Sequence, residues 1–99
     1  MTMTPRQAFE IGTRTFNAHD LEAFAEVLAD DVVFDAPGGM HGEGKPACVA
    51  FFGSWFGAFS DAHVEVHELH IVDDVAVEVG TFTGTHDGVL HTPTRDVPP

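Results

Sequence analysis

Apolar residues recur every three or four positions through the first part of the chain and switch to alternation over the last part. From Thr4 to about Asn17, Phe9, Gly12 and Phe16 fall on one helical face. Thr4 is placed to cap that helix, with Pro5 in the first turn and Gln7 at the reach-back position of a capping box. Asn17-Ala18-His19-Asp20 interrupts, and Asp20 is placed to cap a second helix over Leu21 to Ala29, with Leu21, Phe24, Ala25 and Leu28 as its apolar stripe. Asp30-Asp31 then turns the chain into a short strand, Val32 to Ala36. Pro37-Gly38-Gly39 breaks that strand, and the stretch to Gly44 reads as an irregular loop. A third helix starts at Lys45-Pro46 and runs to about Phe59, with Cys48, Val49, Phe52, Trp55, Phe56 and Phe59 making a broad apolar stripe. Gly53 and Gly57 each lower its intrinsic helicity by about 1 kcal/mol relative to Ala, so packing has to hold it.

His63 to Val72 alternates, but the phase slips, because Val64 and Val66 are even and Leu69 and Ile71 odd. One extra residue near His67-Glu68 restores a common apolar face, which predicts a β-bulge and a bent sheet. Asp73-Asp74 reads as a tight turn into a second long strand. In that strand Val75, Val77, Val79, Thr81 and Thr83 share one face, opposite Ala76, Glu78, Gly80 and Phe82. Thr85 to Pro93 is irregular, and the chain ends at Asp96-Val97-Pro98-Pro99 without a closing element. Two helices, a strand, a long helix and a hairpin of long strands predict one α+β domain over residues 1–99, a curved antiparallel sheet packed on three N-terminal helices.

Composition narrows the partners. Nine Phe and one Trp in 99 residues supply a core, and sixteen Asp+Glu against four Lys+Arg give a formal charge of −12. Such a surface repels phosphate backbones and anionic lipid, so nucleic acid and membrane surfaces are disfavoured as partners. Cys48, the single cysteine, excludes an internal disulfide and any cysteine-rich metal site. The N-terminus lacks the apolar run of a signal peptide and no stretch approaches membrane-spanning length, so a soluble, cytoplasmic protein is expected.

Three stretches carry a resemblance. They are Phe16-Asn17-Ala18-His19-Asp20-Leu21, Leu28 through Gly38, and Gly42 to Gly44 opening a helix that contains Phe51-Phe52. With the closing Gly80-Thr81-Phe82-Thr83-Gly84-Thr85-His86, the chain resembles the SnoaL-like polyketide cyclases, within the superfamily of ketosteroid isomerase and nuclear transport factor two. The resemblance implies a cone-shaped α+β fold with a hydrophobic pocket at its open end, and cyclase or isomerase chemistry on a small apolar carbonyl compound. It implies that Asp35 stands where the isomerase carries its general-base aspartate. The isomerase's oxyanion-hole tyrosine corresponds to Gly12, and the chain has no tyrosine. Relatives continue past the equivalent of Pro99 into further strands, so the domain is expected to be C-terminally incomplete, or to complete its sheet against a second copy.

Several side chains are candidates for chemistry. Asp35 shares its strand face with Val33, which points it toward a pocket, where desolvation raises a carboxylate toward a useful base. The other reading is an acid that accepts N–H bonds from the Ala-Pro-Gly turn. His86 in the irregular C-terminal stretch is a candidate proton donor to a substrate oxygen; His91 and His41 are placed similarly. Phe16, Val33, Met40, Phe52, Trp55, Phe56 and Phe82 are the candidate substrate-binding residues, and the aromatic ones are equally candidates for plain core. His67-Glu68-Leu69-His70 is one residue short of the zinc-protease motif and lies in a strand, while His63 and His67 would stand roughly 13 Å apart, so no metal is expected. No organic cofactor is expected either. The partners expected are a small apolar molecule and a second copy of the chain. Two function classes follow: a proton-transferring cyclase or isomerase, and a non-catalytic module of the same fold that binds a hydrophobic ligand or dimerises.

Overall fold

The computed structural model describes residues 3–92 and 94–99; Pro93, the end of the expected irregular stretch, lies outside them. Helix α1 (Pro5–Asn17) begins at the expected capping box: Gln7 N–H donates to Thr4 Oγ1 at 3.1 Å and Thr4 N–H donates to Gln7 Oε1 at 2.9 Å. Helix α2 (Leu21–Ala25) is capped by Asp20, whose Oδ1 accepts from Ala23 N–H at 3.1 Å. It is shorter than the apolar stripe implied. From Glu26 to Leu28 the backbone bonds reach back only three residues, which tightens the chain into turns.

The stretch expected as a loop is instead a hairpin. Strand β1 (Val33–Ala36) pairs antiparallel with β2 (Met40–Glu43), with Phe34 opposite Gly42 and Asp35 opposite His41. Two observations explain what the sequence hid. Gly38 and Gly39 take φ of 86° and 77°, so Pro37-Gly38-Gly39 is a tight turn. The Phe34 ring covers Gly42, and any Cβ there would overlap it, so a glycine that looks like a breaker is a pairing requirement.

Helix α3 (Lys45–Ala58) follows, then β3 (His63–Val72) and β4 (Val75–Thr83). Their register shifts between Val66 and Glu68, where the alternation pattern required a bulge. The bulge brings Val64, Val66, Leu69 and Ile71 onto the face shared with Ala76, Glu78, Gly80 and Phe82. Asn17 ties α1 to this sheet, since its side-chain amide donates to Val64 O at 2.9 Å and accepts from Val64 N–H at 2.8 Å. A last short ladder joins β5 (Leu90–His91) to β6 (Asp96–Val97), where no element was expected.

The architecture is α+β, with three helices and antiparallel strands. The strands form three separate two-stranded ladders among the described residues, so the cone is open rather than a closed barrel. The core is an aromatic cluster between helices and sheet. Phe16, only 8% exposed, has ring centroids of Phe56, Phe52, Phe24 and Phe82 within 5.0–6.5 Å. Trp55 extends it to Phe59 and Phe82, at 4.8 and 5.3 Å. The far side of β3–β4 is open: Val72, Val75, Val77 and Val79 are exposed there.

Candidate active site

Two concave regions flank the aromatic core. The first, an inner cavity of about 400 Å³, lies between the helices and the sheet. Phe9, Gly12 and Phe16 of α1, Phe24 of α2, Val27, Leu28, Phe52 of α3 and Val64 of β3 form its apolar wall. Glu78 of β4 is the one carboxylate that lines it. Alternation had placed Glu78 on the Phe82 face, and a charged residue on that face was the available signal for it.

The second is a cleft of about 300 Å³ between the β1–β2 hairpin, α3 and β5. Phe34, Met40, Ala47, Ala50 and Phe51 make its apolar floor, and the Phe34 and Phe51 rings lie 5.0 Å apart. His41, His91, Ser54 and Thr92 supply its polar groups. Phe51, Ala47, Ala50 and Ser54 are absent from the sequence-based set, because they belong to the cleft only once the hairpin folds over α3.

Each of the two histidines is held by a carboxylate. His41 Nδ1 lies 2.6 Å from Asp35 Oδ1 across the hairpin, and His41 Nε2 lies 3.1 Å from Glu43 Oε2. Only a doubly protonated imidazolium donates through both nitrogens. Its pKa is accordingly raised above the usual histidine value, by the hydrogen bond to Asp35 first, then by the bond to Glu43 and the Asp35 charge. His91 Nδ1 lies 2.7 Å from Asp96 Oδ1 across the β5–β6 ladder. Ser54 Oγ fixes the His91 backbone to α3, standing 3.2 Å from its N and 3.4 Å from its O.

The remaining sequence-predicted residues are distributed unevenly. Asp35 and Val33 do share a face, but it is the outer one: the Asp35 side chain is 78% exposed and Val33 is 57% exposed, while Phe34 turns inward. The inward assignment of Asp35 is therefore corrected. The Phe34 ring needs the buried side, and period-two alternation then sends its neighbours out. Phe16 and Phe52 line the inner cavity and Met40 the cleft. Trp55, Phe56 and Phe82 belong to the aromatic cluster, Phe82 at its exposed margin, and line neither. His86 also lines neither; its ring packs 5.2 Å from Phe59, and its Nε2 is buried with no hydrogen-bond partner. Cys48 is 2% exposed, and desolvation pushes its thiol pKa up, away from reactivity. Among the described residues no helix is long and apolar enough to cross a membrane.

Comparison with known proteins agrees with this fold. The family described as SnoaL-like domain matches residues 10–98, almost the whole chain. The chain belongs to the SnoaL-like family. Solved structures agree on the fold. A cystatin-fold protein from Novosphingobium aromaticivorans superimposes with a TM-score of 0.76 at 19% identity, covering 96% of this chain and 84% of that one. IdmH, a candidate polyketide cyclase from Streptomyces antibioticus, gives 0.70 at 23% identity, over 98% of this chain and 73% of its own. A candidate polyketide cyclase from Pseudomonas putida gives 0.66 at 19% identity, over 88% and 86%. No curated protein sequence matches the chain. At these identities the SnoaL-like chain shares a fold with its neighbours, and its chemistry has to be argued from its own side chains.

Proposed function

We propose that this SnoaL-like protein is a small-molecule enzyme of the cyclase or isomerase type, moving a proton beside the carbonyl of an apolar compound bound in the hairpin–α3 cleft. The observation that carries this reading is that His41 and His91, each hydrogen-bonded to a carboxylate, both border one apolar cleft, His41 from the hairpin face it shares with Asp35. His41, its Nδ1 held by Asp35, exchanges its longer Nε2 bond to Glu43 for the carbonyl oxygen, donating a hydrogen bond to it and stabilising the enolate that forms there. His91, its Nδ1 held by Asp96, presents Nε2 as the base that takes the proton from the adjacent carbon and returns it at another. Asp35 is then a positioning residue: it touches His41 and not the substrate, and it sets the charge state of that ring. This departs from the family resemblance, in which the aspartate itself is the base.

The test is turnover of apolar ketones or enones by the His41→Gln and Asp35→Asn proteins. His41→Gln is expected to lower kcat by 10²-fold or more, in line with the usual contribution of a positioned acid. Asp35→Asn is expected to shift the pH profile. Activity that needs the imidazolium falls as pH rises through the raised His41 pKa, and without Asp35 that fall moves to lower pH. A His41→Gln protein with native kcat overturns the assignment.

A second reading has its own observation. The inner cavity, apolar but for Thr13 and Glu78 among the described residues, suits storage of a hydrophobic ligand without chemistry, and the exposed valines of β3–β4 suit pairing with a second copy. β4 has no strand beyond it among the described residues, and such an edge is a template for another chain. Sedimentation of the native protein against a Val77→Lys variant tests this: a dimer that dissociates on substitution supports it, and a native monomer removes it.

A further inference from the structure

Beside the cleft, and sharing Met40 and Thr92 with it, is a smaller recess of about 240 Å³ lined also by Gly38, Gly39, Thr94, Arg95 and Val97. The side chains that line these two recesses do not follow the acidic balance of the whole molecule. The chain holds sixteen Asp+Glu and four Lys+Arg, yet among the described residues no Asp or Glu lines either part, whereas Arg95, His41 and His91 do. Asp35, Glu43 and Asp96 hold the two imidazoles by hydrogen bonds. Arg95 makes no ion pair among the described residues, although acids outnumber bases fourfold in the sequence. Its backbone is pinned instead: Thr92 Oγ1 accepts from Arg95 N–H at 3.1 Å and donates to Arg95 O at 2.6 Å. The inner cavity provides the contrast, for its only charged lining residue is Glu78.

We infer that the ligand of the cleft is an amphiphilic carboxylate, its apolar body on Phe34 and Phe51 and its carboxylate in the Arg95 recess. The inference rests on reading the cleft as the active site, and adds the class of compound it takes. A planar guanidinium pairs bidentately with a carboxylate, and Thr94 adds a hydroxyl donor beside it. One guanidinium balances one carboxylate charge; a phosphate dianion would be left undercompensated in a chain of net charge −12. The aromatic floor of Phe34 and Phe51 suits an aromatic or polyene body.

The experiment titrates the full chain with 2-naphthaleneacetic acid and with its primary amide, an uncharged isostere, by calorimetry at neutral pH and low salt. The acid is expected to bind at least tenfold tighter than the amide. Arg95→Gln is expected to erase that preference while leaving amide affinity within twofold, and Arg95→Lys to restore part of it. Circular dichroism of each variant confirms the fold, which the exposed Arg95 side chain does not support through any ion pair. Equal binding of acid and amide by the native chain overturns the inference, as does an Arg95→Gln loss that is equal for both, or no acid binding at millimolar concentration. The two readings separate cleanly. An Arg95-dependent preference without His41-dependent turnover removes the enzyme reading alone, and His41-dependent turnover without a preference removes the carboxylate alone.

Discussion

The inner cavity and the hairpin–α3 cleft share a helix and differ in almost everything else. The cavity is walled by residues from α1, α2, α3 and β3 whose burial also makes the core, and one carboxylate lines it. The cleft borrows Phe51 from the same helix, but its other walls are a four-residue-stranded hairpin and a two-residue ladder near the C-terminus. Its polar groups come in hydrogen-bonded pairs across those ladders, Asp35 with His41 and Asp96 with His91. The difference teaches where this fold tolerates chemistry. A titratable group in the cavity wall would sit against the aromatic cluster that holds the molecule together, whereas one on a peripheral ladder meets its partner at little cost to the core.

That contrast is breakable, and the largest effect is expected at its core side. Phe16→Ala removes the ring at the centre of the aromatic cluster and is expected to cost about 3–5 kcal/mol in denaturant unfolding, with the inner cavity lost as a binding site. A cost below about 1 kcal/mol would show that the helices hold the cavity without the cluster. On the cleft side, Gly42→Val forces a side chain into the Phe34 ring and is expected to cost about 1–3 kcal/mol. Turnover should fall further than stability does, because the hairpin that carries His41 must distort, and activity measured well below the melting temperature separates the two effects.

A smaller effect concerns the α3–β3 connection, which is tied to the stretch that follows β4. Asp61 accepts from Thr85 N–H at 2.6 Å and from its hydroxyl at 2.8 Å, and those bonds, the backbone one first, hold its pKa below the usual carboxylate range. Asp87 is lowered likewise, by the Ser60 hydroxyl and then the Ser60 backbone. A depressed carboxylate contributes stability that is present above its unfolded pKa and lost as pH falls through the folded one. The melting temperature of the native protein should therefore drop on acidification below the ordinary carboxylate range, and that of Asp61→Asn should drop less. His41 works in the other direction: its raised pKa contributes stability below the unfolded histidine value, lost as pH rises through the folded one. The smallest change expected is thus a slightly lower Tm at alkaline pH that Asp35→Asn removes, measurable by comparing the two proteins at pH 6 and 9.

The sequence by itself determined the elements whose signals are local. The capping box at Thr4-Gln7 and the phase slip at His67-Glu68 were legible because helix ends and β-faces follow from the order of neighbouring residues. So was the α+β class, and with it the family. What only the tertiary structure decided was direction and company. Alternation grouped Val33 with Asp35 but not the side on which they lie; the Phe34 ring over Gly42 and against Phe51 made that choice. The same packing turned a glycine-rich stretch into β2 and brought His41 to Asp35. His91 met Asp96 only through a two-residue ladder too short to leave a periodic signal. Periodicity says which side chains go together; which set faces the core depends on partners distant in the chain, and the candidate site is built almost wholly of such partners.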